Sequence, residues 1–266
     1  MTEELKQQIR LFWDRYPCAA DRSNQERYSK TYFEELAQKR YLIEPEIISF
    51  AQFDHYRGRD VLEVGVGPGH DFRQWVAAGA NAYGIDFSSE AIHHTTAYLQ
   101  HFGLNAKEIK IGDAENLPYP ADRFDLVYSW GVLHHTPDTQ KALSEIVRVC
   151  QPGGICKVMF YHRNSLYAFY LWLKYALLKG RPWQSFGWCI GHFLESPGTQ
   201  AFSVTEVRKM LNRLPVQIIK ISPTLTYYDL LKNRSAPIRA FAWLLSFLLG
   251  GNRVGWFMLI EFQKKN

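Results

Sequence analysis

Apolar positions along this chain follow two rhythms. Near the start, Leu5, Ile9 and Phe12 recur three or four apart, which predicts a helix over residues 2–13 with Glu3 and Glu4 well placed in its first turn. Tyr16-Pro17-Cys18 breaks it. A second helix is expected from Ser23 to about Arg40, with Tyr28, Tyr32, Phe33 and Leu36 on one side, and a short third one over 45–53. From Arg59 the rhythm changes. Short apolar runs at 61–64, 82–85, 106–111, 124–129 and 155–161 read as strands. Between them, 72–78, a stretch capped by Ser88 and running to about His101, and 137–150 read as helices. Regular alternation of this kind implies a parallel sheet with helices on both faces, whose ligands sit at the carboxyl ends of the strands.

After Tyr161 the pattern changes again. Residues 166–178 form a helix that is apolar nearly all round, and 182–197 are irregular and rich in Trp, Phe and Gly. Ser203-Val-Thr-Glu206 has the form of a capping box opening a helix to Leu211. Residues 216–221 and 255–262 read as strands, with an apolar helix near 238–249 between them. The chain therefore divides into a helical N-terminal cap (1–58), an α/β core (59–162), an apolar helical lid or insert (163–202) and a C-terminal return to the core (203–266). A helix apolar all round is either buried or touches lipid or another apolar partner. A buried lid, an apolar pocket and a peripheral membrane contact through the insert all stay open. Arg163, Lys174, Lys179 and Arg181 suit anionic headgroups and solvent equally.

Composition narrows the function classes. An apolar fraction of 47% supports a large core, and 15% aromatic residues suggest an apolar cavity or interface besides. The net charge of +5 is scattered, with no basic run or zinc-finger spacing, so no nucleic-acid partner is indicated and no metal is expected. The four cysteines show no C-x-x-C pairing, which points to reduced thiols and a cytoplasmic location. Cys18 has no base beside it that would make it a nucleophile. The first residues are polar, unlike a signal peptide, and the longest apolar run, 240–249, is too short to span a bilayer.

The candidate chemistry centres on Glu63-Val-Gly65-Val-Gly67-Pro-Gly69. A strand, a Gly-rich turn and a helix N-terminus make a nucleotide-binding corner. The dinucleotide fingerprint G-x-G-x-x-G would need glycine at position 70, where His70 stands. Asp86 follows the second strand, 21 positions after Gly65, and leads into Phe87-Ser88. It can cap a helix or accept hydrogen bonds from both hydroxyls of a ribose. Asp113-Ala114-Glu115 follows the third strand, Ser129-Trp130 ends the fourth, and His134-His135-Thr-Pro-Asp138 comes next. Val149-Cys-Gln-Pro-Gly-Gly154 turns into the fifth.

This series resembles the motifs of class I S-adenosylmethionine-dependent methyltransferases, nearest the broad group that includes ubiquinone and menaquinone C-methylases. The resemblance is close over about 59–161 and loose in the flanks. It implies a Rossmann-like seven-stranded sheet whose last strand is antiparallel, and S-adenosyl-L-methionine as cofactor. By the same resemblance, Glu63, Gly65, Gly67, Gly69, Asp86, Phe87, Ser88, Asp113, Ala114, Glu115, Ser129 and Trp130 would line the cofactor site. The acceptor would be a small apolar molecule of quinone-like, lipidic or natural-product type. A non-catalytic binding protein of the same fold and a methyltransferase acting on a macromolecule are the alternatives. Ser129-Trp-Gly-Val stands where enzymes that methylate base amino groups carry Asn-Pro-Pro-Tyr. Oxygen and protonated nitrogen acceptors need a base, and His134, His135, Tyr161 and His162 are the candidates. Each histidine could equally well only pack or hydrogen-bond locally.

Overall fold

One sheet of seven strands, in the order β3-β2-β1-β4-β5-β7-β6, organises the computed structural model, which describes residues 2–16 and 23–266. Cys18 lies outside the described residues. The strands are β1 (Asp60–Val64), β2 (Asn81–Asp86), β3 (Glu108–Ile111), β4 (Phe124–Trp130), β5 (Cys150–Tyr161), β6 (Val216–Thr224) and β7 (Phe257–Lys264). The first five pair in parallel, while β7 runs antiparallel to both β5 and β6. The α/β class, the seven strands and the reversed last strand all match the expectation from the sequence.

Alternation along the strands builds two cores. In β1, Val61 faces one side and Leu62 and Val64 the other. One face packs on α6 (Thr139–Val149) and α9 (Val204–Leu211) through Ala142, Leu143, Ile146, Val207 and Leu211. The other packs on α3 (Glu46–Ala51), α4 (His70–Ala77), α7 (Leu166–Tyr175) and α8 (Phe186–Phe193). The caps that the sequence suggests form. Ser88 Oγ accepts from Ala91 N at 3.1 Å to open α5 (Ser89–His101), and Ser203 with Glu206 makes a reciprocal capping box.

The N-terminal helices differ in detail from expectation. α1 (Thr2–Arg15) forms as anticipated, but α2 spans Lys30–Ile43 and does not start at Ser23. Tyr28 has φ 66°, which no continuous helix allows, and Ser29 is the cap, accepting from Tyr32 N at 3.1 Å. Ser23 Oγ instead donates to Glu35 at 2.5 Å. Phe33 of α2 stacks on Tyr98 of α5 at 4.6 Å, fastening the cap to the core. The stretch 182–197 is not simply irregular. Ser185 caps α8 there, which buries Cys189 and Ile190.

α7 buries Leu166, Ala168 and Leu171, so its apolar character is mostly that of a packed lid. α10 (Ala236–Leu249) is different: only Ala242 and Ser246 are buried. The short α11 (Gly251–Val254) follows it. The segment leading from β6 to α10 is held by Asp229. Its carboxylate accepts from Thr226 N at 2.9 Å, Trp256 N at 2.7 Å and Tyr167 N at 3.1 Å, tying that segment to β7 and α7. Asp229→Ala strands three amide donors and should lower the unfolding free energy by about 3 kcal/mol. Urea titration measures this, and a loss below about 1 kcal/mol would show that the knot is not holding the segment.

Candidate functional site

A cavity of about 320 Å³ opens at the carboxyl ends of β1, β2 and β4. Its floor is the turn after β1. Gly65 N donates to Ile85 O at 2.8 Å, and Gly67 N donates to Asp86 Oδ2 at 2.8 Å. Gly65 has φ 83°, and a Cβ there would lie 2.2 Å from Val132 Cγ2. Gly67 has φ 51°, but a Cβ there would meet only open space. Gly65 is thus required by packing, whereas Gly67 keeps the backbone bare toward the cavity. Gly69 does not line the cavity; a Cβ there would sit 2.7 Å from Thr95 Oγ1, so its part is to seat α5.

The polar end is acidic. Asp86 Oδ1 also accepts from Ser88 N at 2.9 Å, and burial pushes this carboxyl up to about 6 despite its amide donors. Asp113 Oδ1 accepts from Glu115 N at 2.8 Å. Its Oδ2 meets Lys6 of α1 at 2.6 Å, and Lys6 also reaches Glu115 at 2.7 Å. Burial works against the Lys6 charge, but the two carboxylates outweigh it and raise its pKa. Glu63 is buried beneath the turn, and its Oε2 has no hydrogen-bond partner. Burial, then the neighbouring Asp71, holds its carboxyl well above the usual range. Behind it, Arg40 of α2 pairs with Asp71 and with Glu44, each at 3.1 Å. Trp130 Nε1 donates to Glu44 at 2.9 Å. A buried carboxyl with one unpartnered oxygen beside a bare glycine backbone suits a ligand with an amino group and a sugar, which is the shape of S-adenosylmethionine's polar parts.

The other end is aromatic, walled by Tyr161, Tyr167, Tyr228, Trp256 and Phe257. Tyr161 stacks on Trp256 at 4.4 Å. Its hydroxyl donates to Glu195 Oε2 at 2.8 Å, and the same oxygen lies 3.3 Å from His135 Nε2. His135 Nδ1 is within hydrogen-bond distance of Ser196 and Thr199. Glu195 is a non-glycine residue at φ 52°, a conformation that often marks functional positions.

The structure sorts the candidate residues. Glu63, Gly65, Gly67, Asp86, Phe87, Ser88, Asp113, Ala114, Glu115, Trp130, His135 and Tyr161 line the cavity. Ser129 does not: it is fully buried and donates to Val64 O at 2.9 Å, joining β4 to β1. His134 is turned into the core against Tyr161, and burial followed by the neighbouring His135 holds its pKa well below the ordinary value, so it is a poor proton acceptor. His162 is buried too, with Nδ1 donating to Gly255 O at 3.0 Å, and it serves the junction with β7. Lys6, Ile9 and Trp13 of α1, Arg40, Glu44, Glu195, Tyr167, Tyr228 and Trp256 line the cavity without having been singled out in the sequence. Trp256 and Phe257 had a signal: an antiparallel last strand begins where the others end. The remainder come from distant segments with no local mark.

Residues 62–158 match the family model for the methyltransferase domain. That match runs from β1 into β5, and over this stretch the chain is similar to methyltransferase domains. The sterol 24-C-methyltransferase of Aspergillus fumigatus is 33% identical over 122 residues, covering 42% of this chain and 32% of that protein. The phosphatidylethanolamine N-methyltransferase of Cereibacter sphaeroides is 36% identical over 99 residues, covering 37% and 48%. The chain thus spans less than half the length of either relative. An S-adenosylmethionine-dependent methyltransferase of Mesorhizobium loti shares the fold, with a TM-score of 0.57 at 19% identity over 82% of this chain and 97% of that one.

The two glycines of the turn after β1 separate folding from binding. Gly65→Ala should lose about 3 kcal/mol of stability through its clash and positive φ. Gly67→Ala should lose only about 1 kcal/mol yet weaken S-adenosylhomocysteine binding at least tenfold. Thermal melts and calorimetry compare them, and equal stability losses would remove the distinction.

Proposed function

We propose that this chain transfers a methyl group from S-adenosylmethionine to a small apolar acceptor. One observation carries the reading: a single cavity joins an acidic, glycine-floored end to an aromatic end. At the first end, Asp86 would take the ribose hydroxyls, Asp113 and Ala114 the adenine edge, and Glu63 the amino group. Lys6 then shares Asp113 with the base and brings α1 down as a cover. The bound cofactor supplies an activated methyl group on a sulfonium. The residues here orient it, exclude water and position the acceptor in line, which accounts for much of the rate in such a displacement.

The aromatic end sets the acceptor class. Its rings offer flat apolar walls that suit a quinone-like, lipidic or other apolar molecule. The relatives named for a sterol and a phospholipid support the lipidic side of that range. For a hydroxyl acceptor, Glu195 takes the proton. Tyr161 orients the carboxylate through its 2.8 Å hydrogen bond, and His135 Nε2, 3.3 Å away, shares the charge. Glu195 and His135 thus form the proton-accepting pair, with Tyr161 as their positioning residue.

The test is methyl transfer from labelled S-adenosylmethionine into a panel of apolar phenols, quinols and lipids. Product should form with at least one of them, and protein that binds S-adenosylhomocysteine but labels nothing would favour a non-catalytic binding role. Glu195→Gln should lower kcat at least tenfold and displace the acid limb of the pH profile, with cofactor affinity unchanged. An unaltered pH profile would remove Glu195 from proton transfer. Asp86→Ala should weaken S-adenosylhomocysteine binding more than tenfold. In the wild type, affinity should also fall as the pH drops through about 6, because Asp86 then gains a proton and loses an acceptor. Affinity flat from neutral pH to well below that value would remove the ribose assignment.

A further inference from the structure

We infer that α10 seats this protein on an anionic lipid surface. Phe241, Trp243, Leu244, Phe247, Leu248 and Leu249 all stand exposed on this helix, with Phe247 72% and Leu248 67% accessible. Exposed apolar groups of this size in one element mark an interaction site. Their distribution distinguishes between occupants. At about 100° per residue, the buried Ala242 and Ser246 share one narrow side, while the exposed apolar side chains spread over roughly two thirds of the circumference. A protein groove takes one face of a helix. Acyl chains can surround the remainder.

Charge points the same way. α10 carries one charged residue, Arg239, with Lys232 and Arg234 before it and Arg253 after it. From Arg163 to Ile260 there are twelve basic residues and three acidic ones. All three acids are already engaged: Glu195 accepts from Tyr161 at 2.8 Å, Glu206 pairs with Arg163 at 2.6 Å, and Asp229 is buried among amide donors. An apolar helix that carries Arg239 and is flanked by Lys232, Arg234 and Arg253 complements anionic headgroups above acyl chains. At 14 residues α10 is about 21 Å long, short of the roughly 30 Å hydrocarbon core. Among the described residues no helix is long and apolar enough to cross a membrane. α10 therefore lies within one leaflet. The turn after α7 offers a second apolar contact through Leu178 and Trp183, which are 72% and 74% accessible.

The anchor is mechanically joined to the cavity. Tyr228 of the preceding segment lines its aromatic end, Asp229 ties that segment to α7, and Arg234 donates to Tyr170 of α7 at 2.7 Å. A lipidic acceptor would then pass from the leaflet to the aromatic end alongside α7. That last link rests on the proposed function, whereas the membrane contact itself does not.

The test is co-sedimentation of the full chain with vesicles of phosphatidylcholine containing roughly one third phosphatidylglycerol, against phosphatidylcholine alone. The wild type should partition onto the anionic vesicles and less onto the neutral ones, with salt reducing the difference. A variant with Phe241→Ser, Trp243→Ser, Phe247→Ser and Leu248→Ser should lose at least about tenfold in partitioning. Its circular dichroism and S-adenosylhomocysteine affinity should be unchanged. Should it fail to fold, Arg239→Glu with Arg253→Glu should lose about tenfold on anionic vesicles only. The inference is overturned by a wild type that ignores both vesicles, or by folded variants that bind as it does. It is equally overturned by a wild-type dimer that the α10 variant dissolves, which would make a second copy the occupant. Failure of wild-type protein to bind S-adenosylhomocysteine would sink the proposed function and leave the vesicle result standing.

Discussion

Asp86 joins the turns that follow two neighbouring strands. One carboxylate oxygen accepts from Gly67 after β1, and the other accepts from Ser88 after β2. The first bond fixes the glycine turn, and the second starts α5. Ser88 is further tied through its hydroxyl to Asp14 of α1 at 2.7 Å. One side chain thereby sets the floor of the cavity, the helix behind it and part of its cover. The arrangement works only because Gly65 can let Val132 approach and Gly67 presents no side chain. Burial of the carboxyl accompanies this closeness, and its raised pKa is the electrostatic cost.

The same trade recurs through the polar wall. Glu63, Asp71, Glu44 and Arg40 are gathered beneath one end of the cavity, with Tyr128 and Tyr41 donating to Asp71 at 3.1 and 3.2 Å. Asp71 and Glu44 are satisfied by Arg40 and by ring donors, whereas Glu63 retains an oxygen with no hydrogen-bond partner. A buried acceptor left in that condition costs stability, which is offset when a donor arrives from the cavity. At the far end, the rings and the Tyr161–Glu195–His135 cluster combine apolar walls with a small group of ionisable side chains. In the proposed function the two ends divide the work between holding a polar cofactor and receiving an apolar partner.

Much of this was legible in the sequence where the signal was local. The first four strands announced themselves as apolar runs leading into glycine or aspartate, and Ser88 and Ser203 marked helix starts that the fold keeps. Local signals failed where the chain folds back. Lys6 and Arg40 reach the cavity because α1 and α2 cross the core, and Glu195 reaches it from beyond a helix that aromatic residues and glycines had disguised as loop. The tandem His134-His135 shows a subtler limit. They sit in a 3-10 turn, Leu133–His135, where neighbours point about 120° apart. One therefore enters the core and the other faces the cavity, a division that no pattern in the sequence decides.

The most direct measurement is calorimetric titration of the whole chain with S-adenosylhomocysteine in two buffers of different ionisation enthalpy. Burial raises the pKa of the Glu63 carboxyl well above its ordinary range in the ligand-free protein, and an arriving ammonium group lowers it again. The account predicts micromolar binding with release of up to about one proton, and loss of that release in Glu63→Gln. Folded protein that binds no S-adenosylhomocysteine would contradict the cofactor site. Binding with no buffer dependence would contradict the place given to Glu63.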